Sequence, residues 1–370
     1  MTSENRKRSS GRRRFLKVAG VAATGGIAGC VGGEDDDDEP VDDDDEPVDD
    51  DDEPVDDDDE PVDDDDEPEG EHSILVGSTF ESGHFINEMA REWADTVDEE
   101  TDGRIEIIIE DMMGGEVEVL EQVEIGAVEA AMPGSMWVNI YAPEYFWLEA
   151  PFLFEDWDQQ VRAHEESEFG DEARELTIEN GNQRVISPPI YRGYRLLTSN
   201  DPISEPDELS GVTLRVPELE AWVEIWGGMG ADVTTVPFDE LYSALQTGVA
   251  DAQENPAESI IAMNMYEVQD YVTLTEHLVS TGWITINEDI WQELDDSDKD
   301  LLETTAADAV EEASQSVMDR EEDQVAALEE EYDMEIIETE FEPWGERAEP
   351  TLEDLFDTDW EGTVEEVRDI

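Results

Sequence analysis

From residue 72 onward, short β-like runs alternate with stretches whose apolar residues recur at helical spacing. The pattern predicts strands at 74–79, 104–110, 184–188, 194–198, 212–216, 232–237, 271–275 and 282–287. It predicts helices at 83–99, 116–126, 158–166, 219–229, 240–248 and 256–268. Such alternation implies an α/β architecture with mainly parallel sheets. In folds of that kind, ligands sit in the crevice beyond the carboxyl ends of the strands.

One segment differs in length. Across 297–332, apolar residues recur at Leu302, Ala306, Ala309, Ala313 and Val317, then at Val325 and Leu328, with no Gly or Pro. A single helix there would run about 50 Å, longer than one small lobe, so it is expected to bridge two lobes as a strut. The alternative is two helices with an unmarked break near residues 320–323.

Charge changes the picture next. The 370 residues carry 106 acids against 19 bases, a formal net charge of -87. Phosphate neutralisation needs a basic stripe, and none exists, so no nucleic-acid partner is expected. Lysine is confined to Lys7, Lys17 and Lys299. Acid excess with lysine loss predicts a surface that stays hydrated in concentrated salt, as in an extreme halophile; a halophilic archaeon is the expected source. Self-repulsion of this size destabilises a compact state in dilute buffer, whereas molar salt shortens the screening length to about 3 Å. Disorder is the other reading of an acidic chain, but ten tryptophans and regular apolar patterning argue for a packed core after residue 72.

The first 71 residues read as address, anchor and tether. Arg12-Arg13, then Phe15-Leu16-Lys17, resemble a twin-arginine export signal. A short apolar stretch from Val18 to Ala28 follows, too short to be a permanent span. It ends in Ile27-Ala28-Gly29-Cys30, which resembles a lipobox, with cleavage before a lipidated Cys30. Residues 1–29 are therefore expected to be a signal peptide; the alternative is an uncleaved signal anchor, which also puts the rest outside the cell. From Asp35 to Glu69 an Asp-Asp-Asp-Asp-Glu-Pro-Val unit recurs in five copies, the last with Glu69 in place of valine. Like charge and periodic proline favour an extended tether over 30–71, about 3 Å per residue and so about 100 Å of reach.

The chemistry is notable for what it lacks. Cys30 is the lone cysteine, which excludes internal disulfides and cysteine-rich metal sites. No HExxH, Walker A, GxGxxG or GxSxG pattern occurs, and His72, His84, His164 and His277 have no metal-ligand spacing. No cofactor, metal or catalytic residue is expected, and an enzyme reading has nothing to stand on. Arginine carries the information instead: Arg192, Arg195 and Arg215 lie on or beside two predicted strands. A guanidinium among apolar neighbours needs a partner, either an acid of this chain or a ligand carboxylate matched to its planar fork.

Further motifs decide between these at the level of resemblance. Tyr191-Arg-Gly-Tyr-Arg-Leu-Leu-Thr-Ser, Gly211-Val-Thr-Leu-Arg-Val-Pro, Pro237-Phe-Asp-Glu-Leu-Tyr-Ser-Ala-Leu-Gln and Val249-Ala-Asp-Ala-Gln-Glu-Asn-Pro occur in this order. They resemble the DctP-like solute receptors of tripartite ATP-independent periplasmic (TRAP) transporters, over about residues 74–313. The resemblance implies a two-lobe, periplasmic-binding-protein-like fold with a hinge, closing on an organic acid anion and delivering it to membrane permease subunits. It implies lobe I at 72–192 plus 281–320 and lobe II at 193–280 plus 321–370. By motif, Arg215 would grip the ligand carboxylate and Asn255 would hydrogen-bond it. Arg195 would touch the ligand or brace the hinge, and Phe238 would wall the pocket. Thr79, Ser135 and Trp137 would add contacts from lobe I. At Gly134 and Trp137 the chain departs from sialic-acid-binding relatives, which implies a smaller acid with an apolar part, such as a C4-dicarboxylate. A sensor feeding a signalling kinase is the other use of such a receptor.

Overall fold

A computed structural model describes residues 72–370. The export motif, Cys30 and the acidic repeats lie outside the described residues. The strands are β1 (His72–Ser78), β2 (Ile105–Glu110), β3 (Ala130–Met132), β4 (Gln183–Val185), β5 (Ile190–Ser199) and β6 (Thr213–Val216). Then come β7 (Asp232–Thr235), β8 (Ala252–Pro256), β9 (Tyr271–Thr273), β10 (Val279–Gly282), β11 (Thr285–Asn287) and β12 (Glu335–Ile337).

They build two sheets. The first runs β2-β1-β3-β11-β4 and the second β12-β9-β5-β8-β6-β7, with β10 added beside β5. The expectation of mainly parallel sheets is corrected: both are mixed. In the first, β11 lies antiparallel to β3 and β4; in the second, β5 lies antiparallel to β8, β9 and β10. The chain crosses between the sheets more than once, and β5 and β11, each reached by a crossing, run against their neighbours, whereas β12 returns parallel to β9. The predicted strand 282–287 is one such crossing. It splits into β10 and β11, with Trp283 and Ile284 passing between the sheets. Backbone bonds hold the crossing in place: the Trp283 amide donates to Pro133 O, and the Ile186 amide donates to Ile284 O, both at 2.9 Å.

Between the sheets, β5 and β10 form a paired connection, and Gly193 supplies the turn of the backbone that it needs. Its φ of +97° is one that side-chain-bearing residues rarely adopt. A Cβ there would also lie 3.0 Å from Oε1 of Glu321, which accepts from the Tyr194 amide at 2.6 Å. Oε2 of the same carboxylate accepts from the Tyr191 hydroxyl. Glu321 belongs to the long helix, so helix and connection are fastened together.

That helix is unbroken from Asp296 to Glu330, 35 residues, which rejects the two-helix alternative. Asp295 caps it by accepting from the Asp298 amide, and Arg104 grips Asp298 with two nitrogens at 2.6 and 2.5 Å. Its buried residues serve different cores in turn. Leu302, Ala306 and Val310 pack with the first sheet and the helix Phe85–Thr101. Val317 packs with Tyr191 and Val279 of the connection, and Leu328 with Leu196 and Val272 of the second sheet. The strut is therefore held at both ends by burial, at about 1.5–3 kcal/mol for each fully buried large aliphatic side chain.

Elsewhere the predicted helix 256–268 stops at Ala262, because Asn264 takes a left-handed conformation with φ 53° before a single 3-10 turn at Met265–Glu267.

Candidate functional site

The two sheets face a cleft of about 670 Å³. Thr79, Ser135, Arg195, Arg215, Phe238 and Asn255 all line it. Trp137 does not. It is 1% exposed, packed edge-on against Trp283 with ring centroids 5.2 Å apart, and it belongs to the core behind the cleft wall. A helix residue next to a lining residue points elsewhere, since the helix Met136–Tyr141 turns its side chains away in succession.

Arg215 stands on β6 and is 2% exposed. Its Nε and Nη2 both donate to Val236 O, at 2.8 and 2.5 Å, which fixes the plane of the guanidinium. Nη1 has no hydrogen-bond partner among the described residues, and no carboxylate lies within ion-pair distance of the side chain there. Burial lowers its pKa to about 10, against which the charge of Glu254 pulls upward. It remains a cation at neutral pH, oriented and short of an anion.

Arg195, on β5, has a partner at each of its three nitrogens. Nε and Nη2 donate to the Glu254 carboxylate at 2.5 and 2.9 Å, Nη1 donates to Ser280 Oγ at 3.0 Å, and Nη2 also reaches Asn255 Oδ1 at 3.2 Å. The guanidinium lies over the Trp222 ring, 5.0 Å from its centroid. Glu254 is fully buried. Burial pushes its carboxyl upward, yet the charge of Arg195 and the hydrogen bond from His277 outweigh this and hold it below the usual range. Burial lowers the His277 pKa, so the ring is neutral: Nε2 donates to Glu254 at 3.0 Å and Nδ1 accepts from Thr275 at 2.8 Å.

Asn255, on β8 between these two arginine-bearing strands, donates one Nδ2–H to Gln253 Oε1 at 2.6 Å. Its amide nitrogen carries a second hydrogen, which has no partner among the described residues. Phe238, 36% exposed, stands at the mouth.

Several cleft residues were absent from the predicted contacts, Glu116 and Arg192 among them. Arg192 lines the cleft from β5, with its guanidinium carbon 4.7 Å from the Phe80 ring centroid. The signal in the sequence was the arginine cluster itself, but only the fold separates the three roles.

Residues 76–359 match the family of bacterial extracellular solute-binding proteins, family 7 (DctP). The chain belongs to this family. The family is made up of extracytoplasmic solute receptors. A solute-binding protein of Roseobacter denitrificans is 33% identical over 241 residues, 63% of this chain and 73% of that protein. The sialic acid-binding periplasmic protein SiaP of Vibrio cholerae is 29% identical over 268 residues, 72% of this chain and 83% of its own length. A crystal structure of the Roseobacter TRAP periplasmic solute-binding protein, with bound L-galactonate, superposes with a TM-score of 0.72 at 28% identity, over 79% of this chain and 96% of that one.

Proposed function

We propose that this receptor captures an organic acid anion by its carboxylate at Arg215 and presents it to TRAP permease subunits. The observation that carries the reading is the buried, oriented guanidinium of Arg215, with Nη1 unpartnered among the described residues of the cleft. A carboxylate oxygen there would receive a charge-assisted hydrogen bond, and Asn255 could donate to the other oxygen. Arg195 holds the hinge side rigid through Glu254 and leaves recognition to its neighbour. A C4-dicarboxylate and a sugar acid both offer the required group, and the Roseobacter relative with bound L-galactonate supports the wider class.

The same reading assigns no catalytic residue. It places the receptor outside the cell, held by lipid at Cys30 and spaced from the membrane by the acidic repeats, in a high-salt medium. The cleft rim supports the salt assignment: Glu118, Glu218 and Asp239 are exposed there and would repel an anion in dilute buffer.

The test is ligand-dependent thermal stabilisation of the full chain in molar KCl, across a panel of mono- and dicarboxylates. Wild type is expected to shift with at least one acid, and Arg215→Ala with none while still melting cooperatively. An unchanged shift in the variant would remove Arg215 from the role.

A further inference from the structure

Arg192 stands apart from the other two cleft arginines. Nη1 donates to Thr281 O at 3.3 Å, Nε is buried with no partner, and no carboxylate lies within 4 Å among the described residues. Glu116 is the nearby acid. It lines the same cleft, and its Oε1 accepts from the Met136 amide at 3.0 Å. Gly134 marks the space the two share. A Cβ built there would lie 3.4 Å from Nη1 of Arg192 and 3.6 Å from both carboxylate oxygens of Glu116. The absent side chain leaves a notch with a donor and an acceptor on its walls.

We propose that Arg192 and Glu116 form a charge-neutral pair that reads hydroxyl groups, so that the receptor prefers a monoanionic polyhydroxy acid of the aldonate type to a dicarboxylate. This rests on Arg215 holding the ligand carboxylate. A hydroxyl both donates and accepts, so it satisfies Glu116 and Arg192 together. A second carboxylate would accept from Arg192 but would face Glu116 as a like charge in a water-poor cleft, where such repulsion is strong. The pair thus rejects dianions and accepts hydroxyls by one arrangement. Burial raises the Glu116 pKa and the charge of Glu149 adds to the rise, while the Met136 and Gly134 amides and the charge of Arg192 pull back. Acidification would therefore neutralise the acceptor and weaken the discrimination.

The experiment is isothermal titration of the full chain in molar KCl with L-galactonate, L-gulonate, succinate and L-malate. Wild type is expected to bind an aldonate at least about tenfold more tightly than either diacid. Glu116→Gln should shrink that ratio by gaining diacid affinity, and Arg192→Gln should shrink it by losing aldonate affinity. Should either variant fail to fold, Gly134→Ala fills the notch without changing charge and should weaken aldonates alone. A diacid that binds wild type more tightly than both aldonates, or a ratio unmoved by these variants, overturns the proposal. Arg215→Ala separates the two readings. If it abolishes binding while wild type prefers diacids, only the hydroxyl pair is wrong; if it still binds, the carboxylate anchor is wrong and the pair falls with it.

Discussion

Arg195 and Arg215 stand on strands that flank β8, both nearly buried, yet their surroundings differ in kind. Around Arg195 the protein supplies a partner for each nitrogen: Glu254 neutralises it, Ser280 and Asn255 accept further hydrogens, and His277 holds Glu254 from behind. Around Arg215 it supplies one carbonyl, used twice, and stops. The first arrangement is a self-contained charge network that fixes the connection between the sheets. The second leaves a desolvated cation with no anion beside it, which is the basis of the role proposed for it. Two arginines of similar burial thus divide into a brace and a grip, and the division is made by neighbouring acids.

Substitutions should separate them. Glu254→Ala has the largest expected effect, a loss of about 3–5 kcal/mol of stability, because Arg195 is left buried and unpaired; urea unfolding in molar KCl reads it. Arg215→Ala should cost about 2–5 kcal/mol of ligand binding with little loss of stability, read by calorimetry. If both variants lost stability alike, brace and grip would not be distinct. Asn255→Ala should weaken binding by about 1 kcal/mol, the scale of one hydrogen bond.

A pH series tests the brace further. The folded pKa of His84 is lowered to about 3, by burial and then by Arg192 and Arg320, and that of His277 is also lowered. As pH falls below the unfolded histidine value of about 6.5, the unfolded state takes up protons that the native state refuses. Stability should therefore fall from there towards pH 3, with Glu254 adding to the loss below the ordinary glutamate value of about 4.3. A urea midpoint flat between neutrality and pH 4 would contradict neutral rings at these two positions. The smallest effect concerns the rim. Raising KCl from dilute to molar should improve affinity modestly, by screening Glu118, Glu218 and Asp239 while the sheltered contact at Arg215 persists.

Much of this was legible in the chain. The helix Asp296–Glu330 followed from a long segment without Gly or Pro and with apolar residues at helical spacing on either side of an acidic stretch. Strand–helix alternation located β1, β2 and β6 within a residue or two, because local periodicity records which face is buried. The helices Glu168–Gly181 and Phe341–Thr358 were not predicted; Gly170 lies in the first turn of one, and Gly345 and Pro350 lie inside the other, and such residues read as breakers. Sheet direction was also misread, since parallel or antiparallel pairing depends on where distant segments return.

At the site, the sequence by itself determined that arginine was scarce, clustered and set among apolar residues, and its motifs marked Arg215 and Asn255. Tertiary structure alone decided which arginines keep an unpartnered nitrogen, that Trp137 packs in the core, and that Arg192 faces Glu116 across Gly134. The reason is electrostatic. In a chain with 106 acids, any arginine could have an acidic partner, and only the folded distances say which ones do not.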